Sequence, residues 1–253
     1  MRSARKVIAV TFGAVGWWLA SCRDVPAPEG GVASLAPLRL PSPGVVAGDT
    51  MRDSVGLAAP LTVVAYAVNG DTLKNITASF VALDTGAHVS GVWLIGDSVG
   101  KTVRVIGSAA ALQTQPVSVK ITTSPDTMVP ADSTLHRKTY SLITGDTVVN
   151  TADLATIVRH KPATGVEAVV VKYSILRAPG GNTAKGPTLL LLNGSTPSNR
   201  DTSDASGRAA RTARLRLLAK DTIAVDTAIV SATSSYRGRT LGLVTFVLVF
   251  TRQ

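Results

Sequence analysis

Short apolar runs rich in Val, Thr and Ile recur along this chain, and each is soon cut off by Gly, Asn, Asp or Pro. Leu61-Thr62-Val63-Val64-Ala65-Tyr66-Ala67-Val68 runs into Asn69-Gly70-Asp71, a strong turn signal. Ile76 to Leu83, Val89 to Ile95, Thr102 to Ile106 and Val117 to Ile121 continue the series. A second series follows with Thr147–Val149, Leu154–Val158, Val166–Leu176, Leu189–Leu192, Arg211–Leu218, Ala224–Ser231 and Leu241–Phe250. Pro179-Gly180-Gly181-Asn182 and Asn193-Gly194-Ser195 supply turns within it. β-Branched residues suit a pleated, half-buried surface, and Glu, a good helix former, occurs only at positions 29 and 167. Short strands at this spacing predict an all-β chain built as a sandwich or barrel.

The supply of apolar residues, 45% of the chain, is enough to bury a core. The chain has one cysteine, so no internal disulfide framework staples it. Ser124-Pro125-Asp126-Thr127 and Val129-Pro130-Ala131-Asp132 divide the two series. The predicted organisation is a leader at 1–21, a Pro-rich linker at 22–44 and a first sandwich at 45–124. A linker with a first strand at 125–146 then leads to a second sandwich at 147–253.

The cysteine is Cys22, and the residues before it are specific. Arg2, Arg5 and Lys6 precede an apolar or small stretch from Val7 to Leu19, broken only by Thr11, and Leu19-Ala20-Ser21-Cys22 follows. The stretch is too short to span about 30 Å of hydrocarbon as a helix. A charged start, a short apolar core and small residues at the end form a secretory signal. The whole resembles a bacterial lipoprotein signal peptide with its lipobox. The resemblance implies that Cys22 becomes the mature N-terminus and carries the lipid. It also implies export and anchoring in the cell envelope, and Arg23 leans towards the outer membrane. Pro26, Pro28, Pro37, Pro41 and Pro43 would then make a tether of mixed stiffness.

A second resemblance lies in the late half. Thr202-Ser203-Asp204-Ala205-Ser206-Gly207-Arg208-Ala209, followed by an alternating strand and Val230-Ser231-Ala232, looks like the end of a bacterial Ig-like domain of the invasin/intimin class. Upstream, Gly165-Val166-Glu167-Ala168-Val169-Val170-Val171-Lys172-Tyr173 matches a strand of the same pattern. The match covers about residues 150–250. It implies an Ig-like sandwich and leaves function open. The first series fits the pattern more loosely, with Gly96-Asp97-Ser98-Val99-Gly100 in place of the expected turn.

Charge narrows the partners. The formal net charge of +10 falls by three when the leader departs, and the excess lies mostly after residue 125. Arg208, Arg211, Arg214, Arg216 and Lys220 form the densest basic run. As a strand, it turns Ala213, Leu215 and Leu217 one way and Thr212, Arg214 and Arg216 the other. Arg208, Arg211, Arg214 and Arg216 are the candidate contacts for an anionic partner such as a polysaccharide or lipopolysaccharide. No aromatic platforms interleave with them, so nucleic acid is not expected. A protein partner is equally open, and the residues assign no oligomeric state.

Nothing in the chain spells an active site. His88, His136 and His160 stand in no metal-ligand spacing, and no G-x-S-x-G elbow occurs. No catalytic residue, metal or cofactor is expected, and the chain is not read as an enzyme. Eleven of the fourteen aspartates precede Thr or Ser, a habit read as Asx-turns at strand ends rather than calcium ligation. Trp93, in Val92-Trp93-Leu94-Ile95, is read as core. The expected function is a lipid-anchored spacer or adhesion module, with binding of an anionic envelope polymer as the alternative and a hydrolase a distant third.

Overall fold

The computed structural model describes residues 31–141, 147–181, 187–217 and 225–253. The leader expected at 1–21 and Cys22 lie outside the described residues. Within them no helix is long and apolar enough to cross a membrane. Two β-sandwiches follow one another.

In the first sandwich, β1 (Gly44–Val46), β2 (Ala78–Ala82), β3 (Ala87–Ser90), β4 (Trp93–Gly96), β5 (Thr102–Ala109) and β6 (Val117–Thr122) are the main strands. One sheet has the order β1-β6-β5-β2. β1 runs parallel to β6, and the other pairs are antiparallel. Against it lie the β3–β4 hairpin and a small sheet of Ser34–Leu35, Ala65–Tyr66 and Thr72–Leu73. Alternation along β5 sends Val103 and Val105 into a core with Met51, Leu94, Val119 and Ile121.

The second sandwich is larger. It comprises β7 (Thr127–Pro130), β8 (Leu135–Tyr140), β9 (Thr147–His160), β10 (Val170–Arg177), β11 (Thr188–Asn193), β12 (Arg200–Thr202), β13 (Arg208–Leu217), β14 (Val225–Tyr236) and β15 (Arg239–Arg252). Its sheets have the orders β7-β9-β13-β11 and β8-β15-β14-β10-β12. These are the A-B-E-D and G-F-C arrangements of an immunoglobulin sandwich, with β8 laid parallel on the last strand and β12 beside the C strand. Tyr173, Phe246, Phe250, Leu154, Leu215 and Leu248 fill the space between the sheets. The first sandwich repeats half of this plan. In each, an early strand runs parallel to the last one, and penultimate and middle strands follow outward.

Several boundaries differ from the sequence expectation. The Pro-rich segment is not a free tether as far as residue 44: Ser34–Leu35 pairs with Ala65–Tyr66, and Val32 and Leu38 are buried. The prolines fit here because Pro37, Pro41 and Pro43 fall outside the short strands and remove no ladder donor. The second sandwich begins earlier than 147, since β7 pairs with β9 and β8 with β15. Val89 to Ile95 is not one strand but the β3–β4 hairpin, turning at Gly91 with φ 63°. That turn reverses the faces, so Trp93 points outward and is 38% exposed.

Candidate functional site

Two places gather charged side chains: the outward face of β13 and the seam between the sandwiches. β13 alternates strictly. Ala209, Arg211, Ala213, Leu215 and Leu217 face inward, while Arg208, Ala210, Thr212, Arg214 and Arg216 face outward. Arg211 is therefore corrected out of the basic face. Its side chain is only 3% exposed and pairs with Asp201 at 2.9 Å. It also donates to the carbonyls of Ala210 and Arg200, tying the E strand to β12. Burying a guanidinium is costly unless such partners compensate its charge.

The remaining arginines are partly engaged. Arg208 stands 3.3 Å from Asp153, and Arg214 donates to Asn150 Oδ1 at 3.0 Å. Register places Val148 and Thr188 on either side of Arg216, and Asn150 and Leu190 on either side of Arg214. Val148 and Leu190 are exposed. The outward face thus interleaves guanidinium groups with apolar and small polar side chains.

The seam is built around Asp49, which is 8% exposed. It accepts from Arg52 Nε at 2.8 Å and Nη2 at 3.0 Å within its own sandwich. From the β14–β15 turn of the second sandwich, Tyr236 Oη donates at 2.6 Å and Arg237 Nε at 3.1 Å. Burial alone would raise this carboxyl, but the bonds from Arg52, Tyr236 and Arg237 hold it well below the usual carboxylate range. The Arg52 and Arg237 guanidiniums both stand over the Tyr236 ring, 5.4 and 5.5 Å from its centroid. Burial, then the Asp49 bond, push the Tyr236 phenol above its ordinary value.

Backbone contact reinforces these bonds. A Cβ at Gly56 would stand 2.9 Å from the Tyr236 nitrogen, so only glycine fits there. Gly238 N donates to Gly56 O at 3.3 Å. Gly44 abuts Ala168, and Lys120 pairs with Glu167 at 3.0 Å. The segments 166–170 and 235–238 of the second sandwich are thus committed to the first. A small crevice remains beside them, lined by Ser42, Thr50, Arg52, Asp53, Ala168 and Tyr236 among others.

The other sequence candidates separate. His88 contacts Asp97 at 2.9 Å, and His160 the carbonyl of Ser124 at 2.8 Å. His136 packs on Phe246, and burial lowers its basicity. The histidines do not converge, and among the described residues no group of three or more His, Cys, Asp or Glu could hold a metal ion. Asp53 and Asp204 cap their own turns, accepting from Val55 and Leu57 N and from Ser206 and Arg208 N. Asp49, followed by Thr50 as many of the aspartates here are followed by Thr or Ser, does something else. Nothing in the local sequence distinguishes it.

No protein-family model and no curated protein matches the chain. Among solved structures, the zebrafish RET cadherin-like domains 1 to 4 align with a TM-score of 0.33 and 7% identity, over 70% of this chain and 41% of that one. The titin I-band fragment I67–I69 aligns at 0.28 and 12%, over 87% and 64%. The collagen adhesin CNA of S. aureus aligns at 0.21 and 8%, over 88% and 94%. The chain spans less than two thirds of the first two. With TM-scores this low, the Ig-like assignment rests on strand order and register. The class of protein is an all-β tandem of Ig-like sandwiches.

Proposed function

We propose that the protein is a lipid-anchored component of the bacterial cell envelope, attached through Cys22 and leaning to the outer membrane. Its Ig-like sandwiches, the second of the bacterial invasin/intimin type, serve as a spacer or adhesion-type interaction module. The observation that carries the spacer reading is the seam. Asp49 accepts bonds from both sandwiches at once, so the pair moves as one stiff unit rather than as beads on a string. Tandem domains joined only by a linker would be expected to reorient. The lipobox supports the anchor. In cell fractionation with intact-mass analysis, the native chain is expected in membranes with acylated Cys22, and Cys22→Ala in the soluble fraction. A Cys22→Ala chain that stays with membranes overturns the anchor.

The interleaving of Arg214 and Arg216 with Val148 and Leu190 favours a second reading, binding of an anionic envelope polymer. Retention on an immobilised anionic polysaccharide should fall as salt rises, and fall with the Arg214→Ala/Arg216→Ala pair. Unchanged elution in both comparisons rules this reading out.

A further inference from the structure

In the first sandwich the outer edge of β2 is uncovered among the described residues. β2 is the outermost strand of its sheet, and β5 is its ladder partner. Leu83 N donates to Arg104 O at 2.8 Å, which sets the phase of that ladder. In an antiparallel pair, residues that exchange hydrogen bonds alternate with residues that do not. Ser79 and Val81 therefore bond towards β5, whereas Ala78, Phe80 and Ala82 turn their N–H and C=O groups to the open side. Among the described residues those outward groups have no hydrogen-bond partner.

The second sandwich shows what normally happens at this position. Its corresponding strand, β10, is covered by β12, carries Lys172 and shifts register between Ile175 and Arg177. Covering strands, lysines and bulges are the usual defences of a sheet edge. β2 reads Ala-Ser-Phe-Val-Ala, with no charge, no proline and an unbroken register. Beside the open edge Val81 is 49% and Leu83 44% exposed.

We propose that this edge pairs with the same edge of a second copy of the chain, β2 against β2, antiparallel across a two-fold axis at Phe80. With the axis there, Phe80 exchanges bonds with its symmetry mate, and Ala78 with Ala82 of the second copy. Every outward N–H of β2 then meets an outward C=O. Ser79 falls opposite Val81 of the second copy in a non-bonded pair, with Cα atoms about 4.5 Å apart. The register is self-complementary and sets no charge against a like charge, which argues for a second copy rather than an unrelated strand. The net positive charge of the chain opposes association, but it is screened beyond about 8 Å at physiological salt. A contact this short makes a weak, concentration-dependent dimer. Confinement by the proposed anchor would raise the local concentration, but the pairing itself does not depend on the anchor.

The test is sedimentation velocity of the full chain carrying Cys22→Ala, from micromolar to sub-millimolar concentration. The expected result is a dimer fraction that grows with concentration. Ser79→Lys with Val81→Lys sets lysines opposite each other and should weaken it about tenfold. Thr233→Lys, on the second sandwich, should leave it unchanged. Both lysine positions face outward, and circular dichroism checks their fold. Independently, Ser79→Cys with Val81→Cys, in the Cys22→Ala chain, should form a covalent dimer when oxidised glutathione is added as the electron acceptor, because cysteines in that pair fall within disulfide reach. A monomer at every concentration, a dimer indifferent to the lysines, or a cysteine pair that does not cross-link overturns the proposal.

Discussion

Tyr173 shows how much one side chain carries in the second sandwich. It is fully buried on β10, and its hydroxyl donates to Ala209 O on β13 at 2.9 Å, bridging the two sheets. Burial pushes its phenol up to about 12, against a hydrogen bond with Thr156 that lowers it. The sign of the linkage follows. Below the unfolded value near 10, both states hold the proton and the stabilisation is complete. Between 10 and 12 the unfolded chain ionises first, so stability falls by about 1.4 kcal/mol per pH unit. Tyr173→Phe should cost about 1 kcal/mol at neutral pH, from the lost bond, and escape that slope. Urea unfolding of the second sandwich should therefore show the wild type ahead at pH 7 and the Phe variant ahead by pH 12. Parallel curves would show that the hydroxyl is not buried as described. The inward position of this residue was legible from strand alternation, and so was that of Arg211. Counting arginines obscured it, because density along the chain says nothing about which face a residue takes.

The turn that opens β13 explains why its residues form a recognisable string. Asp204 Oδ1 accepts from Ser206 N, Ser206 Oγ and Arg208 N at 2.8, 2.6 and 3.0 Å, which lowers its pKa, the Ser206 hydroxyl bond first. Gly207 follows at φ 81°, and a Cβ there would stand 2.3 Å from Val158 O and 2.8 Å from Gly165 Cα. Two glycines that are distant in sequence meet back to back, and Val158 N donates to Gly207 O at 2.8 Å across them. Gly194 also has positive φ, at 59°, yet a Cβ there meets nothing within 4 Å. Gly194→Ala should therefore cost about 1 kcal/mol, the backbone penalty alone, while Gly207→Ala should cost about 3 kcal/mol or more in the same urea titration. Equal costs would mean that the close approach to Val158 is not real. At this scale the sequence was readable wherever a turn announced itself with Asn-Gly or Asp-x-x-Gly. It was misread at Ser90-Gly91-Val92, where one glycine between apolar residues hid a hairpin.

At the scale of the whole molecule, the decisive contact joins residues 187 positions apart, and no local pattern could pair them. In the sequence Asp49 is one Asp-Thr among several, and the turn at Tyr236-Arg237-Gly238 between β14 and β15 emerges only in the structure. Only the docking of one sandwich on the other turns them into a clamp. Asp49→Ala would leave Arg52, Tyr236 and Arg237 facing one another without their common acceptor. The cost should be about 2 kcal/mol, the worth of hydrogen bonds to a charged group, and it should fall on the seam rather than on either core. Small-angle scattering should then show a broader distribution of overall dimensions, while the separate unfolding transitions of the sandwiches move little. Asp49→Asn keeps the shape and loses the charge, so it should fall between Ala and wild type. Acid should act in the same direction. A carboxyl held below its unfolded value stabilises the seam fully above about pH 4 and loses its effect only as pH drops through the folded value. Wild-type dimensions should therefore stay constant from neutral pH down to about pH 4 and broaden only in stronger acid, whereas Asp49→Ala should be broad throughout. If Asp49→Ala scatters like the wild type, the stiffness of the tandem resides in the Gly56 and Gly44 backbone contacts, and the carboxylate is dispensable to it.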